Sequence, residues 1–202
     1  MSDNKLIEKE YLKHEAKILK EHKSGNYKNS IPFFEEYASK GVEAAQYNLA
    51  VANYHGFGVD INYEKAAELY KILDEKGHST SQFALSIMYA QGNGVKQNME
   101  EFYRLTKLSA KKGEPGAIYN LSQMYRFGDG GFSQDEKKSF KLCKEAADKG
   151  YVDAQYMTGL MYMLEKGTTF NEKEAIKYFE LAAKSGHEEA KKNLKIMKEK
   201  KN

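Results

Sequence analysis

AQYNLAVANYHGFGV, at residues 45–59, is the first of four related stretches that recur along the chain at a nearly constant interval. The other three are SQFALSIMYAQGNGV (81–95), AIYNLSQMYRFGDGG (117–131) and AQYMTGLMYMLEKGT (154–168). Each begins with Ala or Ser, carries Leu or Thr four positions later, and carries Tyr or Asn four positions after that. Spacing by four places these side chains on one stripe of a helix, so each stretch predicts an α-helix with one packed face.

Glycines repeat with the same period and mark where the predicted helices end. One set follows a Lys or Ser and is spaced by 36 or 37 residues: Gly41, Gly77, Gly113, Gly150 and Gly186. A second set lies between them: Gly56 with Gly58, Gly92 with Gly94, Gly128 with Gly130, and Gly167 alone. Because glycine readily adopts the left-handed conformation that stops a helix, both sets predict turns between helices.

The second half of each unit predicts another amphipathic helix. These stretches are YEKAAELYKILDEKG (63–77), MEEFYRLTKLSAKKG (99–113), EKKSFKLCKEAADKG (136–150) and EKEAIKYFELAAKSG (172–186). Their apolar residues recur at helical spacing, and lysines in the last turn suit the negative end of a helix. Each unit therefore consists of helix A, a glycine loop, helix B and a stop glycine. The predicted fold class is all-α, a solenoid of helical hairpins.

The units assign the chain to a single solenoid domain. Four repeats are predicted, at residues 42–77, 78–113, 114–150 and 151–186. Residues 5–41 predict a degenerate N-terminal helical hairpin, in which Pro32 is tolerated in the first turn of the second helix. Residues 1–4 are predicted to be a disordered N-terminus. Residues 187–202 predict a C-terminal capping helix with a lysine-rich outer face.

Composition and charge argue against several classes of protein. The net charge of +3 lacks the clustered basic excess of a nucleic-acid binder, so we expect no nucleic-acid partner. No run approaches 18 apolar residues, and the charged N-terminus MSDNKLIEKE does not resemble a secretory signal, so we expect no membrane association. The single cysteine, Cys143, excludes an intrachain disulfide and fits a reducing compartment. We therefore expect a cytoplasmic protein.

The pattern of the four stretches, followed by K-A and a terminal A-A-x-x-G, resembles the Sel1-like repeat family, a relative of tetratricopeptide repeats with a longer glycine loop. The resemblance covers residues 41–186 closely and implies a right-handed α/α superhelix of Sel1-like or TPR-like helical hairpins. Glu165 departs from the pattern by replacing the first loop glycine, which predicts a different shape for the fourth loop. Secreted, cysteine-rich members place two cysteines in each repeat, so their enzymatic activity is not carried over to this chain.

Motifs for catalysis, metal binding and phosphate binding are incomplete. The glycine loops lack the third glycine of a dinucleotide fingerprint and the GK[ST] ending of a P-loop. Ser109 and Lys112 match a Ser-x-x-Lys motif, but the Ser-Asp-Asn and Lys-Thr-Gly elements that accompany it are missing. The five histidines form no H-E-x-x-H pair, and Cys143 is predicted to be a buried, inert thiol. We predict no catalytic residue, no metal site and no cofactor.

The phase of the repeats predicts which side chains face a partner. In stacked helical hairpins the A helices line the concave face. The residues two and three positions after the first small residue of each repeat, and those six, nine and ten positions after it, are expected to point towards this face. The candidate partner-binding residues are Asn48, Tyr54, His55, Gln91, Asn120, Gln123, Arg126, Met157 and Met163. Tyr and Arg are favoured as interface anchors. Three further tyrosines, Tyr47, Tyr119 and Tyr156, either join this surface or pack between repeats.

These observations favour a non-catalytic, monomeric scaffold or adaptor that binds a peptide or protein domain in the concave groove. An alternative is an immunity or inhibitor protein that neutralises a toxin or an enzyme, a class that small free-standing Sel1-like arrays resemble. A third is a hydrolase of the β-lactamase-like type, acting on cell-wall or β-lactam amides. A secretory signal and paired cysteines would support the hydrolase, and the sequence has neither.

Overall fold

The computed structural model of the chain describes residues 3–27 and 29–199. Every regular element within these ranges is an α-helix, which confirms the all-α fold class. The helices are α1 (Asp3–Lys23), α2 (Ser30–Ser39), α3 (Glu43–His55), α4 (Tyr63–Glu75), α5 (Ser79–Gln91), α6 (Met99–Lys111), α7 (Pro115–Phe127), α8 (Glu136–Asp148), α9 (Val152–Met163), α10 (Glu172–Lys184) and α11 (Glu188–Glu199). Residues 1–2 of the predicted disordered segment and residues 200–202 of the predicted capping helix lie outside the described residues.

The chain divides into two compact units, and the boundary falls inside α6, between Phe102 and Tyr103. In unit 1, consecutive helices pack against one another from α1 to α5. In unit 2, the same holds from α7 to α11. Within each unit, these helices thus bury their apolar stripes against their neighbours in sequence, as expected of hairpin repeats. The A helices of the four repeats are α3, α5, α7 and α9, and the B helices are α4, α6, α8 and α10.

The core of unit 1 joins the N-terminal hairpin to the first repeat. Tyr11 of α1 and Phe34 of α2 are fully buried, and they share one cluster with Ala45 and Leu49 of α3. The ring of Tyr11 also stacks on Phe33, with the two centroids 5.1 Å apart. Burying one large apolar side chain stabilises a fold by about 1.5–3 kcal/mol. The first two helices are therefore integrated into unit 1, although they lack the glycine loop of the later repeats.

Small residues on the A helices let the following B helix approach closely. A Cβ atom added to Gly159 in α9 would lie 2.6 Å from Cε1 of Phe179 in α10. The equivalent residues of the earlier repeats, Ala50, Ser86 and Ser122, are completely buried. A larger side chain at these positions would push the two helices of the hairpin apart.

Side-chain caps begin the B helices at positions that the glycine pattern does not mark. Asn62, Asp135 and Asn171 precede α4, α8 and α10, and each accepts a hydrogen bond from the backbone N–H three residues later. Asn98 accepts two such bonds at the start of α6. A cap of this kind satisfies donors that the first turn leaves unpaired and stabilises by about 1 kcal/mol. Their spacing, which equals the repeat period, is the sequence signal that identifies them.

The fourth loop keeps the backbone conformation of the first, although Glu165 stands where the other loops have glycine. Glu165 has a φ of +55°, in the same left-handed region as Gly56 at +75°. The next residue, Lys166, donates its N–H to the carbonyl oxygen of Met161 at 3.0 Å, and the equivalent bond closes the first loop. The expectation of a different loop shape is therefore wrong at these positions, because the turn's hydrogen bonding imposes the left-handed conformation on a non-glycine residue.

The second glycine of each loop permits unusually close packing. A Cβ atom on Gly94 would collide with the carbonyl group of Tyr63, the first residue of α4. A Cβ atom on Gly167 would collide with the carbonyl group of Glu136, the first residue of α8. No side chain fits between the loop and the preceding B helix at these points. These glycines are thus required for a contact between backbones, and not only for their positive φ.

We expect Gly167→Ala to destabilise the protein far more than Gly150→Ala. Both residues have positive φ (+69° and +91°), but a Cβ atom on Gly150 would meet nothing within 4 Å. Gly150→Ala should therefore lower the free energy of unfolding by about 1 kcal/mol, through backbone conformation alone. Gly167→Ala should cost about 1–3 kcal/mol more, because the added methyl group has no space. Urea denaturation followed by circular dichroism measures both, and equal losses would contradict the proposed backbone contact.

Replacing Glu165 with glycine should stabilise the protein. The left-handed conformation costs a residue with a side chain about 1–2 kcal/mol, which glycine avoids. Against this, the greater freedom of glycine in the unfolded chain lowers the free energy of unfolding by about 0.4–1 kcal/mol. The net gain in the free energy of unfolding should be about 0.5–1 kcal/mol. The matched control is Glu165→Ala, which removes the carboxylate but keeps the strained backbone and should bring no such gain. A glycine variant no more stable than the alanine variant would refute the strain at this position.

Candidate functional site

The candidate partner-binding residues share one side of the A helices. They occupy positions three, six, nine and ten after the first small residue of each repeat, which we call the A-helix stripe. Its members are half-buried or exposed, whereas the small residue itself and the residues five and seven positions after it are buried. The candidates in unit 1 are Asn48, Tyr54, His55 and Gln91, and those in unit 2 are Asn120, Gln123, Arg126, Met157 and Met163. The stripe is what remains accessible on these helices once the repeats have packed.

Three candidates of unit 1 come together. The hydroxyl group of Tyr54 in α3 donates to Oε1 of Gln91 in α5 at 3.3 Å. The ring of Tyr54 meets the ring of His55 edge-on, with centroids 4.9 Å apart, and His55 in turn stacks on Phe57 at 5.2 Å. The stripes of α3 and α5 therefore face the same side within unit 1. This group offers aromatic edges, an imidazole and an amide to a partner.

Asn48 is separate from this group because its amide is engaged elsewhere. Its Nδ2 donates to the hydroxyl oxygen of Tyr11 at 3.1 Å. Tyr11 is buried in α1, so this bond fastens α3 to the N-terminal hairpin. Asn48 is therefore placed by the structure in a packing contact within unit 1.

Three candidates of unit 2 also come together. Nη1 of Arg126 in α7 donates to Oε1 of Gln123 at 3.4 Å and lies 3.3 Å from Sδ of Met157 in α9. The guanidinium group also lies over the ring of Phe127, 5.1 Å from its centroid. Asn120 lies half-buried on the same side of α7.

Met163 lies outside that group, on the wall of an apolar cavity. The cavity has a volume of about 260 Å³ and lies among α9, α10 and α11. It is lined by Leu160, Met163, Glu172, Phe179, Asn193, Ile196 and Met197. Met163 is thus accessible, but it belongs to the end of unit 2 that α11 covers.

The tyrosines that lie two positions after the first small residue of a repeat pack between repeats. The ring of Tyr47 lies 5.3 Å from that of His78, and the ring of Tyr156 stacks on that of His187 at 4.3 Å. Tyr119 lies 5.3 Å from Tyr151 in the same way. Of the two interpretations of these tyrosines, the structure supports packing at the start of the next A helix.

Two histidines act as helix caps, a role that the sequence analysis did not identify. Nδ1 of His78 accepts the backbone N–H of Ser81 at 3.2 Å, and Nδ1 of His187 accepts that of Ala190 at 3.3 Å. Both residues follow a stop glycine, where the next A helix begins. In both histidines Nδ1 is thus occupied as a hydrogen-bond acceptor. The residues that the structure describes contain no cluster of His, Cys, Asp and Glu that could hold a metal ion.

Two buried glutamines form a second repeated contact that the sequence analysis missed. Nε2 of Gln46 donates to the carbonyl oxygen of Ala38 at 3.3 Å, and Nε2 of Gln155 donates to that of Ala147 at the same distance. In both cases the amide links an A helix to the last turn of the preceding helix. The sequence signal is a Gln directly after the first small residue of a repeat.

The two potential nucleophiles are both buried. Ser109 is completely buried in α6. Cys143 in α8 is also completely buried, and its Sγ accepts a hydrogen bond from Oγ1 of Thr158 at 3.5 Å. Burial raises the pKa of the Cys143 thiol to about 11, so the thiolate is scarce at neutral pH. Cys143 is thus the buried thiol that the sequence predicts.

The length and polarity of the helices bear on membrane insertion. Among the helices formed by residues 3–27 and 29–199, none combines the length and apolar character that crossing a bilayer requires.

Comparison with solved structures finds the same fold in several bacterial proteins. A Sel1 repeat protein from Oxalobacter formigenes is 27% identical, with a TM-score of 0.72 over 83% of this chain and 48% of that one. A protective antigen of uropathogenic Escherichia coli strains is 23% identical, with a TM-score of 0.67 over 82% of this chain and 35% of that one. An immunity protein from Pseudomonas aeruginosa is 21% identical, with a TM-score of 0.57 over 80% and 59%. This chain spans less than two thirds of each.

Comparison of the sequence with family models and curated proteins completes the assignment. No curated protein sequence matches the chain significantly. A family model described as Sel1 repeat matches residues 43–78, 79–114, 115–151 and 152–187. Each match contains one A helix, one glycine loop and one B helix, and together they cover well over half of the sequence. The chain therefore belongs to the Sel1 repeat family.

Proposed function

We propose that this chain is a non-catalytic scaffold or adaptor that binds a peptide or a protein domain along the A-helix stripe. Sel1 repeats typically serve as protein-interaction scaffolds. The observation that carries the proposal is the separation of the A helices into two sides. One side is buried against neighbouring helices. On the other side, Tyr, Asn, Gln, His and Arg side chains are half-buried or exposed. Side chains of these types combine contact area with adaptable hydrogen bonding.

The absence of catalysis is part of the proposal and is supported by the burial of the nucleophiles. Ser109 and Cys143 have no exposed surface, so a substrate cannot reach either side chain without unfolding of the repeat. The Ser-x-x-Lys motif of a β-lactamase-like hydrolase would need its serine open to solvent. This counts against the hydrolase alternative.

We also propose a monomer in the cytoplasm. Lys195 in α11 stands where the earlier A helices have Ala50, Ser86, Ser122 and Gly159, and its side chain is exposed. A second copy packing on α11 as a B helix packs on an A helix would have to remove this charge and its partner Glu199, 4.0 Å away, from water, which is costly. The buried, unpaired Cys143 agrees with a reducing compartment.

The triple variant Tyr54→Ala, Asn120→Ala, Arg126→Ala should lose its partner without unfolding. We expect affinity capture with mass spectrometry to identify a protein partner of the wild type, and its affinity to fall at least about tenfold in the variant. The matched control is Lys141→Ala, an exposed residue on the B helix α8, which should bind normally. Circular dichroism should show similar melting temperatures for all three proteins. Undiminished capture by a folded triple variant would remove the A-helix stripe as the binding site.

A narrower alternative is an immunity or inhibitor protein that neutralises a toxin or enzyme. Two solved structures that share the fold, at 21% and 22% identity, are immunity proteins from Pseudomonas aeruginosa. At this identity the likeness concerns the fold alone. Such a protein would still bind its target through a surface, so the A-helix stripe is the natural candidate here as well.

The immunity alternative is tested by rescue of growth. Under this alternative, co-expression of the chain with a toxin encoded beside its own gene should restore growth of the poisoned cells. The triple variant should fail to rescue, whereas Lys141→Ala should rescue as well as the wild type. Continued growth arrest in the presence of the folded wild-type protein would exclude that toxin as the target.

A further inference from the structure

Arg126 carries a positive charge that no acidic side chain balances. Its guanidinium group contacts Oε1 of Gln123 and Sδ of Met157, and both of these partners are neutral. No carboxylate in residues 3–27 and 29–199 lies within ion-pairing distance of it, whereas Lys144 on α8 pairs with Asp148 at 2.7 Å. The side chain is half-buried, so the charge gives up part of its hydration and gains no ion pair in return. The two neutral contacts hold the guanidinium group in place with most of its donors unused.

Two amides extend the polar surface along α7. Asn120 and Gln123 precede Arg126 by six and three residues and lie on the same side of the helix. The side-chain amide of Asn120 makes no hydrogen bond to any residue that the structure describes. Six residues of helix span about 9 Å, which equals about three residues of extended chain. A short extended peptide can therefore reach both Asn120 and Arg126.

One exposed aromatic side chain borders the guanidinium group. Phe127 lies under it and is 68% exposed, and Leu164 holds the equivalent position in the next repeat and is 62% exposed. The exposed ring offers a partner apolar surface directly beside the charge. Arg126 with Phe127 thus combines a cationic centre with an apolar border.

We propose that Arg126 anchors a carboxylate side chain of an extended acidic peptide, and that an apolar residue beside this carboxylate packs on Phe127. The inference rests on the proposed function, since it specifies the chemistry of the partner at the A-helix stripe. Arginine suits this role because its planar donors bind both oxygens of a carboxylate. The amides of Asn120 and Gln123 bind the peptide backbone next to the anchored residue.

The charge of these helices favours a carboxylate over a phosphate or a nucleic acid. Arg126 is the only cationic side chain of α7, and α9 has none. Nucleic acids are bound by several cations that contact successive phosphates. A single guanidinium group matches the single charge of a Glu or Asp side chain, and the apolar border matches the residues that flank it.

The test uses the full chain and pairs of fluorescein-labelled peptides that differ at one position. The first peptide is Gly-Ser-Leu-Glu-Phe-Leu-Ser-Gly, and its partner has Gln in place of Glu. Fluorescence anisotropy should show the Glu peptide binding about tenfold more tightly than the Gln peptide, as expected for a charge-assisted hydrogen bond. Arg126→Gln should abolish this preference, and Phe127→Ser should weaken both peptides alike. The control Lys141→Gln should change neither affinity.

Several outcomes would overturn the inference, and they differ from failure of the proposed function. Equal affinity for the two peptides, or a preference that survives Arg126→Gln, removes Arg126 as the anchor. Tighter binding of the peptide with phosphoserine in place of Glu assigns the site to phosphate instead. No binding of either peptide overturns the extended acidic ligand, while loss of the captured partner in the triple variant still supports the scaffold. If the wild type prefers the Glu peptide but Arg126→Gln still captures the partner as well as the wild type, the acidic-peptide site stands. The captured partner then binds elsewhere than at Arg126.

Discussion

Two of the four repeats depend on a contact between backbones that only glycine allows. Gly94 lies against the first residue of α4, and Gly167 lies against the first residue of α8. The loop that leaves an A helix is therefore seated directly on the start of the preceding B helix. The cap residue at the end of the loop then donates its N–H back to the A helix, as Asn62 does to Asn53 at 2.8 Å.

The sequence alone predicts the helices and their phase because both follow from short-range periodicity. Gly159 and its small equivalents could be assigned to helix packing because their place in the stripe repeats. Glu165 shows the limit of that reasoning, since its residue type argues for a different turn and its hydrogen bonding imposes the same one. The caps formed by His78 and His187 were missed because histidine is not among the usual capping residues.

The candidate site is harder to predict, because its contacts join residues that lie one repeat apart. The phase places Asn48 on the stripe, but only the packing of α1 shows that its amide is bound to Tyr11. In the same way, the contact between Arg126 and Met157 depends on how α7 and α9 lie side by side within unit 2. Periodicity assigns a side chain to one side of a helix, and the neighbouring helix then decides whether it remains free.

The two sides of the A helices are under different physical constraints, which explains where function can vary. The buried side admits only residues that fit between the packed helices, so the position five residues after the first small residue carries Ala, Ser or Gly in all four repeats. The position ten residues after the first small residue is exposed in all four repeats, and it changes from His55 and Gln91 to Phe127 and Leu164. This position is therefore polar in the first two repeats and apolar in the last two. Arg126, which has no acidic partner, directly precedes the first apolar residue, Phe127. A partner that offers one acidic residue beside apolar ones satisfies the charge and covers the exposed rings and methyl groups together, which a purely apolar or purely acidic partner cannot do.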